Sequence, residues 1–308
     1  MEDMPRILSN VTVRSDAFSL AGLGGALPEL SRSFTTNEMA SWGVRGPAWL
    51  RGLSPRRRLL LAGVAALIVA AAAMSMLTAT RTCNAPRPGF PAQDRPGPVL
   101  LVPGYGGGQD ALSVLAGRIR TTGREARVLA LSGDGTGDLL GQVEVLTKAV
   151  DAAYERGAPS VDVIGYSAGG VVVRLWVARA GGEHQARRVI TLGAPMHGAR
   201  IAAIGGALVP GACPVACQQL TPGSALLRSF EQEPLPRTLP WLSVWTETDQ
   251  TVTPPDSARL TGAVNVALQQ VCAGAQPQHG DLPADPTATR LVLRALGTAP
   301  LSAPSDCP

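Results

Sequence analysis

A chain of 308 residues with 45% hydrophobic content can bury a sizeable core without relying on metals or disulfides. Its net charge of +4 is unevenly spread: residues 1–81 hold nine of the 27 basic groups and five of the 23 acidic ones, leaving 18 of each in residues 82–308. The only tight basic cluster is Arg56, Arg57 and Arg58, so the remainder lacks the clustered basic face that nucleic acid requires, and that class of partner is excluded.

Residues 1–58 mix Ser, Thr, Gly, Leu and Arg with no sustained period of 2 or 3.6. They are expected to be a disordered cytoplasmic segment, or in part untranslated if the true start is Val44. Leu59 to Thr80 then run for 22 residues without a charge, which as a helix span about 33 Å and suffice to cross a bilayer. The Arg triplet before them places everything after Arg81 outside the membrane. A retained anchor and a cleaved signal peptide with a short Arg-rich lead both fit this stretch. All five cysteines (Cys83, Cys213, Cys217, Cys272 and Cys307) follow it, as expected of an oxidising side where two disulfides can form. The protein is therefore expected to be extracytoplasmic, either secreted or membrane-anchored through residues 59–80. Residues 81–96 belong to a Pro-rich linker, with five prolines between Asn84 and Pro98 keeping it extended. A folded domain is expected over 97–308.

Within that domain short apolar runs alternate with helical patterns. Strands are predicted at Val99–Val102, Arg127–Leu131, Val161–Ile164, Val189–Leu192, Leu242–Trp245 and Val264–Leu268. Helices are predicted at Gln109–Arg120, Gly137–Glu155, Gly169–Ala180 and Pro286–Leu296. In the second of these Leu139, Val143, Leu146 and Val150 recur at helical spacing. Alternating β and α units imply an α/β fold, a mostly parallel central sheet with helices on both faces.

The strongest chemical signal is the apolar strand Val161–Ile164 running into Gly165-Tyr166-Ser167-Ala168-Gly169 and then into a helix. Serine at so sharp a turn takes an unusual backbone conformation, and side chains at 165 and 169 would strike neighbouring backbone, hence glycine at both. The turn exposes the Ser167 hydroxyl and aims a helix N-terminus at it, so the NH of Ala168 can meet a developing oxyanion. A serine needs a base, and the chain has three histidines, His184, His197 and His279. Behind a strand–Ser–helix turn the partners follow in the order Ser, acid, His, each on a loop at the carboxyl end of a successive strand; His184 and His197 come too early, and only His279 follows a candidate acid so placed. Asp249, just past the strand Leu242–Trp245, is the preferred acid, with Glu247 and Asp256 as fallbacks. It would hold the imidazole tautomer and stabilise the imidazolium. The first strand ends in Pro103-Gly104-Tyr105-Gly106-Gly107-Gly108, a loop assigned to supply the second oxyanion donor from the NH of Tyr105. A phosphate-binding loop would need a following Gly-Lys-Ser/Thr, which is missing.

These residues resemble the bacterial triacylglycerol lipases and related secreted esterases of the α/β-hydrolase superfamily, of the lipase class 2 type. The likeness spans roughly residues 97–296. It rests on the nucleophile elbow Gly165–Gly169, on Thr191-Leu192-Gly193-Ala194-Pro195-Met196-His197-Gly198, and on Asp249-x-x-Val252-x-Pro254. Pro103-Gly104 departs from the His-Gly of many members, and Met196-His197 from their usual paired histidines. The resemblance implies an α/β-hydrolase fold, ester hydrolysis through an acyl-enzyme, no cofactor, and Ser167, Asp249 and His279 as the triad. It also implies that His197 holds its loop by a hydrogen bond.

Residues 198–240, rich in small apolar side chains, are expected to form a small cap, stiffened by a short Cys213–Cys217 disulfide. Cys272 is expected to tether the His279 loop to that cap. Calcium serves some similar lipases near this loop, but Asp281 and Asp285 alone do not make a metal site, and none is predicted. Two other readings use the same features: an acyltransferase of the cell envelope or a thioesterase with the same triad, and a non-catalytic, membrane-tethered binding protein.

Overall fold

The computed structural model describes residues 54–83, 90–202, 213–231 and 233–307, in two units, residues 1–84 and 85–308. In the first unit α1 (Pro55–Cys83) contains the charge-free stretch. Its segment Pro55–Met74 has a mean hydropathy of 1.8 and is long and apolar enough to cross a membrane, and its side chains from Leu59 to Met74 are exposed. Expectations for residues 1–53 and for the linker residues 84–89 fall outside the described residues.

The second unit is built on six parallel strands: β1 (Val99–Val102), β2 (Ala126–Val128), β3 (Val161–Tyr166), β4 (Ala186–Leu192), β5 (Trp241–Trp245) and β6 (Val264–Ala267). Their order in the sheet is β2-β1-β3-β4-β5-β6. Parallel neighbours need crossovers, and right-handed crossovers put helices on opposite faces once the direction of progress reverses. That reversal lies between β1 and β3. Accordingly α2 (Asp110–Arg120) and α8 (Pro286–Ala295) pack with Val99, Leu101, Ile164 and Ile190 on one face. On the other face, α3 (Leu139–Glu155) and α4 (Ala168–Arg179) pack with Leu100, Val102, Val163 and Val189. The central strands are buried on both faces, which explains why their sequences are mainly apolar and do not alternate with polar residues. Short helices α5 (Val215–Gln219) and α6 (Ala225–Glu231) lie within the region expected to be the cap, whose residues 203–212 and 232 are not described. The short α7 (Leu268–Val271) follows β6 directly.

Element ends differ from the sequence reading for local reasons. The third helix starts at Leu139 because Asp138 caps it, accepting from Leu140 N at 2.9 Å. Strand β2 ends early: after Leu129 N bonds the Leu101 carbonyl the chain leaves the sheet edge for the loop at 130–138. The folded unit begins upstream of Gly97. Gln93 donates to the Arg187 carbonyl at 2.8 Å, and the Arg95 carbonyl accepts from Ser160 Oγ at 2.6 Å, so part of the expected linker is docked.

The largest departure is β4, which begins at Ala186 and so carries Arg187 and Arg188 fully buried inside the sheet. Arg187 forms a two-pronged pair with buried Asp162 of β3, at 2.9 and 2.5 Å, and Arg124 adds a third contact to that carboxylate at 2.8 Å. Some donors reach Gln93 and Gly97 upstream, and others reach carbonyls at and beyond the end of α8. Arg187 takes Leu296 and Gly297, each at 2.8 Å, Arg188 takes Ala295 and Ala299, each at 2.7 Å, and Arg124 takes Leu296 at 3.1 Å. A helix C-terminus carries partial negative charge and unpaired carbonyls, so three cations with one carboxylate are satisfied there. Desolvation and the neighbouring Arg187 nevertheless pull Arg188 below the usual arginine range.

Removing the one carboxylate would leave buried guanidiniums uncompensated. Asp162→Ala is therefore expected to lower the free energy of unfolding by about 3–5 kcal/mol, measurable as a shift in the urea midpoint.

Candidate active site

Where the strand order reverses, the loops after β1 and β3 diverge and leave a crevice at the carboxyl edge of the sheet, the usual place for a ligand in an open α/β sheet. Ser167 stands there, between the end of β3 and the start of α4. Its backbone, at φ 53 and ψ −129, is the one positive-φ non-glycine conformation among the described residues. Its NH is held by the Leu192 carbonyl of β4 at 2.8 Å. The flanking glycines make the turn feasible. A Cβ on Gly169 would sit 2.3 Å from the carbonyl oxygens of Val102 and Pro103, and one on Gly165 would sit 2.5 Å from Gly170 Cα. The helix can thus start almost in contact with the end of β1.

The loops after β5 and β6 bring the other two residues to Ser167. His279 lies at the start of a 3₁₀ turn, His279–Asp281, with Nε2 2.9 Å from Ser167 Oγ and Nδ1 2.6 Å from Asp249 Oδ2. A carboxylate only accepts, so Nδ1 carries the proton and Nε2 is left to accept from the serine hydroxyl. Asp249 is 4% exposed, and its other oxygen accepts from the NH groups of Thr251 and Val252 at 2.8 and 2.7 Å. That loop geometry locks the carboxylate toward the imidazole. The alternative acids Glu247 and Asp256 are exposed and do not meet His279. His184 pairs with Glu183 on the surface. His197 Nε2 stands 3.1 Å from the Arg259 carbonyl and donates to it.

The Gly-rich loop after β1 lies beside Ser167: a Cβ on Gly104 would come within 2.9 Å of Ser167 Cβ. The NH of Tyr105 belongs to the next peptide, at the start of a turn closed by Gly107 N to Gly104 O at 3.1 Å. Ala168 opens α4. Gly104 and Ala168 thus both lie next to Ser167.

Three features were not legible in the sequence. Gly193, at φ 55, gives the imidazole its room, since a Cβ there would lie 3.2 Å from His279 Cε1 and Nδ1. Tyr166 Oη donates to the His279 carbonyl at 3.0 Å while its ring lies against the imidazole, centroids 5.2 Å apart. Cys272 pairs with Cys307 and not with the cap, because the C-terminal tail returns beside the His279 loop, bringing the two Cα atoms within 4.7 Å. The expected Cys213–Cys217 disulfide is present. Asp281 and Asp285 serve as turn and helix caps, accepting from Gln278 N at 3.1 Å and Ala288 N at 2.8 Å.

No protein-family model matches the chain, and no curated protein matches it significantly in sequence. Solved structures do match in fold. Aspergillus fumigatus lipase B superposes with a TM-score of 0.55 at 19% identity, over 68% of this chain and 55% of that one, so the chain spans about half that protein's length. The mature form of Bacillus licheniformis lipase BlEst2 gives 0.55 at 17% identity, covering 68% of this chain and 96% of that one. Its propeptide form gives 0.56 at 18%, covering 70% and 53%. Together with the parallel sheet, these likenesses establish the α/β-hydrolase fold.

Burial pushes the Tyr166 phenol up to about 12, with the charges of Asp249 and then Asp281 adding to it. Tyr154, whose hydroxyl donates to the Gln185 carbonyl at 2.5 Å, is also pushed up to about 12, by burial first and Asp162 second. Both folded values exceed the ordinary 10.0, so as pH rises the unfolded chain loses these protons first. Their contribution to stability is complete below the ordinary value and is lost as pH climbs through the folded one. The urea midpoint is therefore expected to fall between about pH 10 and pH 12, and to fall less steeply in Tyr166→Phe.

Proposed function

We propose that the folded unit is a serine hydrolase that cleaves carboxylic esters, of lipids or other acyl donors, through an acyl-enzyme. The observation that carries this reading is the unbroken hydrogen-bonded line from Ser167 through His279 to Asp249, 2.9 and 2.6 Å, at the open carboxyl edge of the sheet. The fold shared with two lipases supports an ester as substrate. The apolar helix α1 and the two disulfides support a location outside the cytoplasm, with α1 as anchor or leader.

The chemistry follows from the tautomer. His279 Nε2 takes the Ser167 proton as Oγ attacks the ester carbonyl carbon, and Asp249 stabilises the imidazolium without taking a proton. The carbonyl oxygen becomes an oxyanion facing the NH groups of Ala168 and Tyr105, and each such donor contributes roughly 3 kcal/mol to the transition state. Nε2 returns the proton to the leaving alcohol, giving the acyl-serine. Water then repeats the sequence, with Nε2 again as base, and releases the acid. The reaction draws on side chains and backbone alone.

The test is hydrolysis of p-nitrophenyl esters, from acetate to palmitate, by the detergent-solubilised full chain. Ser167→Ala is expected to lower kcat by about 10⁴-fold or more, and Asp249→Asn by about 10³–10⁴-fold, with folding retained. A folded wild type that cleaves none of these esters, or a Ser167→Ala variant as active as wild type, would overturn the reading. The chain-length profile separates lipase from esterase.

A further inference from the structure

His279 sits on a loop, yet its two nitrogens must meet groups on two other loops at once. The structure shows how that loop is gripped. Tyr166, immediately before the nucleophile, donates its hydroxyl to the His279 carbonyl at 3.0 Å. Thr248, immediately before the acid, donates its hydroxyl to the Pro277 carbonyl at 2.8 Å. Thr246 completes the second arm: its Oγ1 lies 2.8 Å from Thr248 Oγ1 and accepts from Gln269 Nε2 at 2.9 Å. The same amide nitrogen reaches the Ala275 carbonyl at 2.9 Å. With the Thr248 proton committed to Pro277, the Thr246 hydroxyl donates to Thr248, and the chain of donors has one consistent direction.

We infer that Tyr166 and Thr248 are positioning residues for His279. Each extends the loop of one catalytic partner to a backbone carbonyl of the histidine loop, two residues apart, so the imidazole is registered against Ser167 and Asp249 by the chain neighbours of those residues. Neither hydroxyl touches the reacting atoms. The Tyr166 ring adds a wall against one face of the imidazole, at a tilt of 30°. Once either hydroxyl is removed the loop can shift, and a displacement well under the length of a hydrogen bond misaligns Nε2 with Oγ. This inference rests on the proposed serine mechanism for its kinetic consequence, but not for its geometry.

The experiment compares wild type, Tyr166→Phe, Thr248→Val and Thr248→Ser, all as the full chain. It reads the rate of Ser167 labelling by diisopropyl fluorophosphate, kcat and KM on p-nitrophenyl butyrate, thermal midpoint, and the downfield proton resonance of the His279–Asp249 hydrogen bond. Tyr166→Phe and Thr248→Val are expected to lower labelling rate and kcat by roughly tenfold while KM stays within about twofold. Thr248→Ser, which keeps the hydroxyl, is expected to recover most of the loss, and the downfield resonance is expected to broaden or vanish only in the two hydroxyl-less variants. Wild-type rates in Tyr166→Phe and Thr248→Val overturn the inference, as does a Thr248→Ser variant no better than Thr248→Val. If wild type itself is neither labelled nor active, the serine hydrolase reading fails. The resonance then decides positioning alone: loss in the two variants supports it, and an unchanged signal in all four chains overturns it.

Discussion

A helix that begins almost in contact with the strands beneath it is the constraint from which the site follows. The first turn of α4 lies so close to the end of β1 that a single methyl at Gly169 would overlap two carbonyl oxygens. That closeness forces Ser167 into its positive-φ conformation, lifts its hydroxyl above the sheet edge and presents the Ala168 NH beside it. The Gly-rich loop after β1 must then pass Ser167 at backbone distance, which is why Gly104 cannot carry a side chain without meeting it. Strain at one residue is stabilised by the two apolar layers that bury the sheet on both sides.

The segment carrying His279 is fixed at both ends by different chemistry. At the site end, neutral hydroxyls of Tyr166 and Thr248 hold carbonyls of the histidine loop. At the far end, the guanidiniums of Arg124, Arg187 and Arg188 hold carbonyls of Ala295, Leu296, Gly297 and Ala299. Between them α8 acts as a rigid spacer, capped by Asp285 at its start and packed through Leu291 and Val292. Charge is concentrated at the end remote from Ser167, where Asp162 balances it, while the surroundings of the imidazole keep a single buried carboxylate, Asp249.

Much of this was written locally in the sequence. Strands β1, β3 and β5 are short runs made mainly of apolar, β-branched or aromatic residues, and the observed ends fall within two residues of those expected. The grouping of Ser167, Asp249 and His279 was legible because glycine spacing marks the serine, the order of the acidic residue and the histidine along the chain is restricted, and three histidines leave little choice. What escaped depends on distant partners. Arg187 and Arg188 looked like a polar boundary before β4, since their burial requires Asp162 on the neighbouring strand and carbonyls more than a hundred positions later. Tyr166 and Thr248 read as ordinary polar neighbours, because the carbonyls they hold lie on a loop that only the folded sheet brings near. The partner of Cys272 was likewise set by where the tail returns, which spacing does not encode.

That tail has a topological consequence. Cys272 and Cys307, 35 positions apart, enclose His279 and the whole of α8 in one covalent ring. A protease that nicks an exposed bond inside the ring opens it without releasing either piece, so the cut chain keeps its histidine attached through the sulfur bridge. That tolerance of a single cut protects the segment that holds His279 beside Ser167 and Asp249.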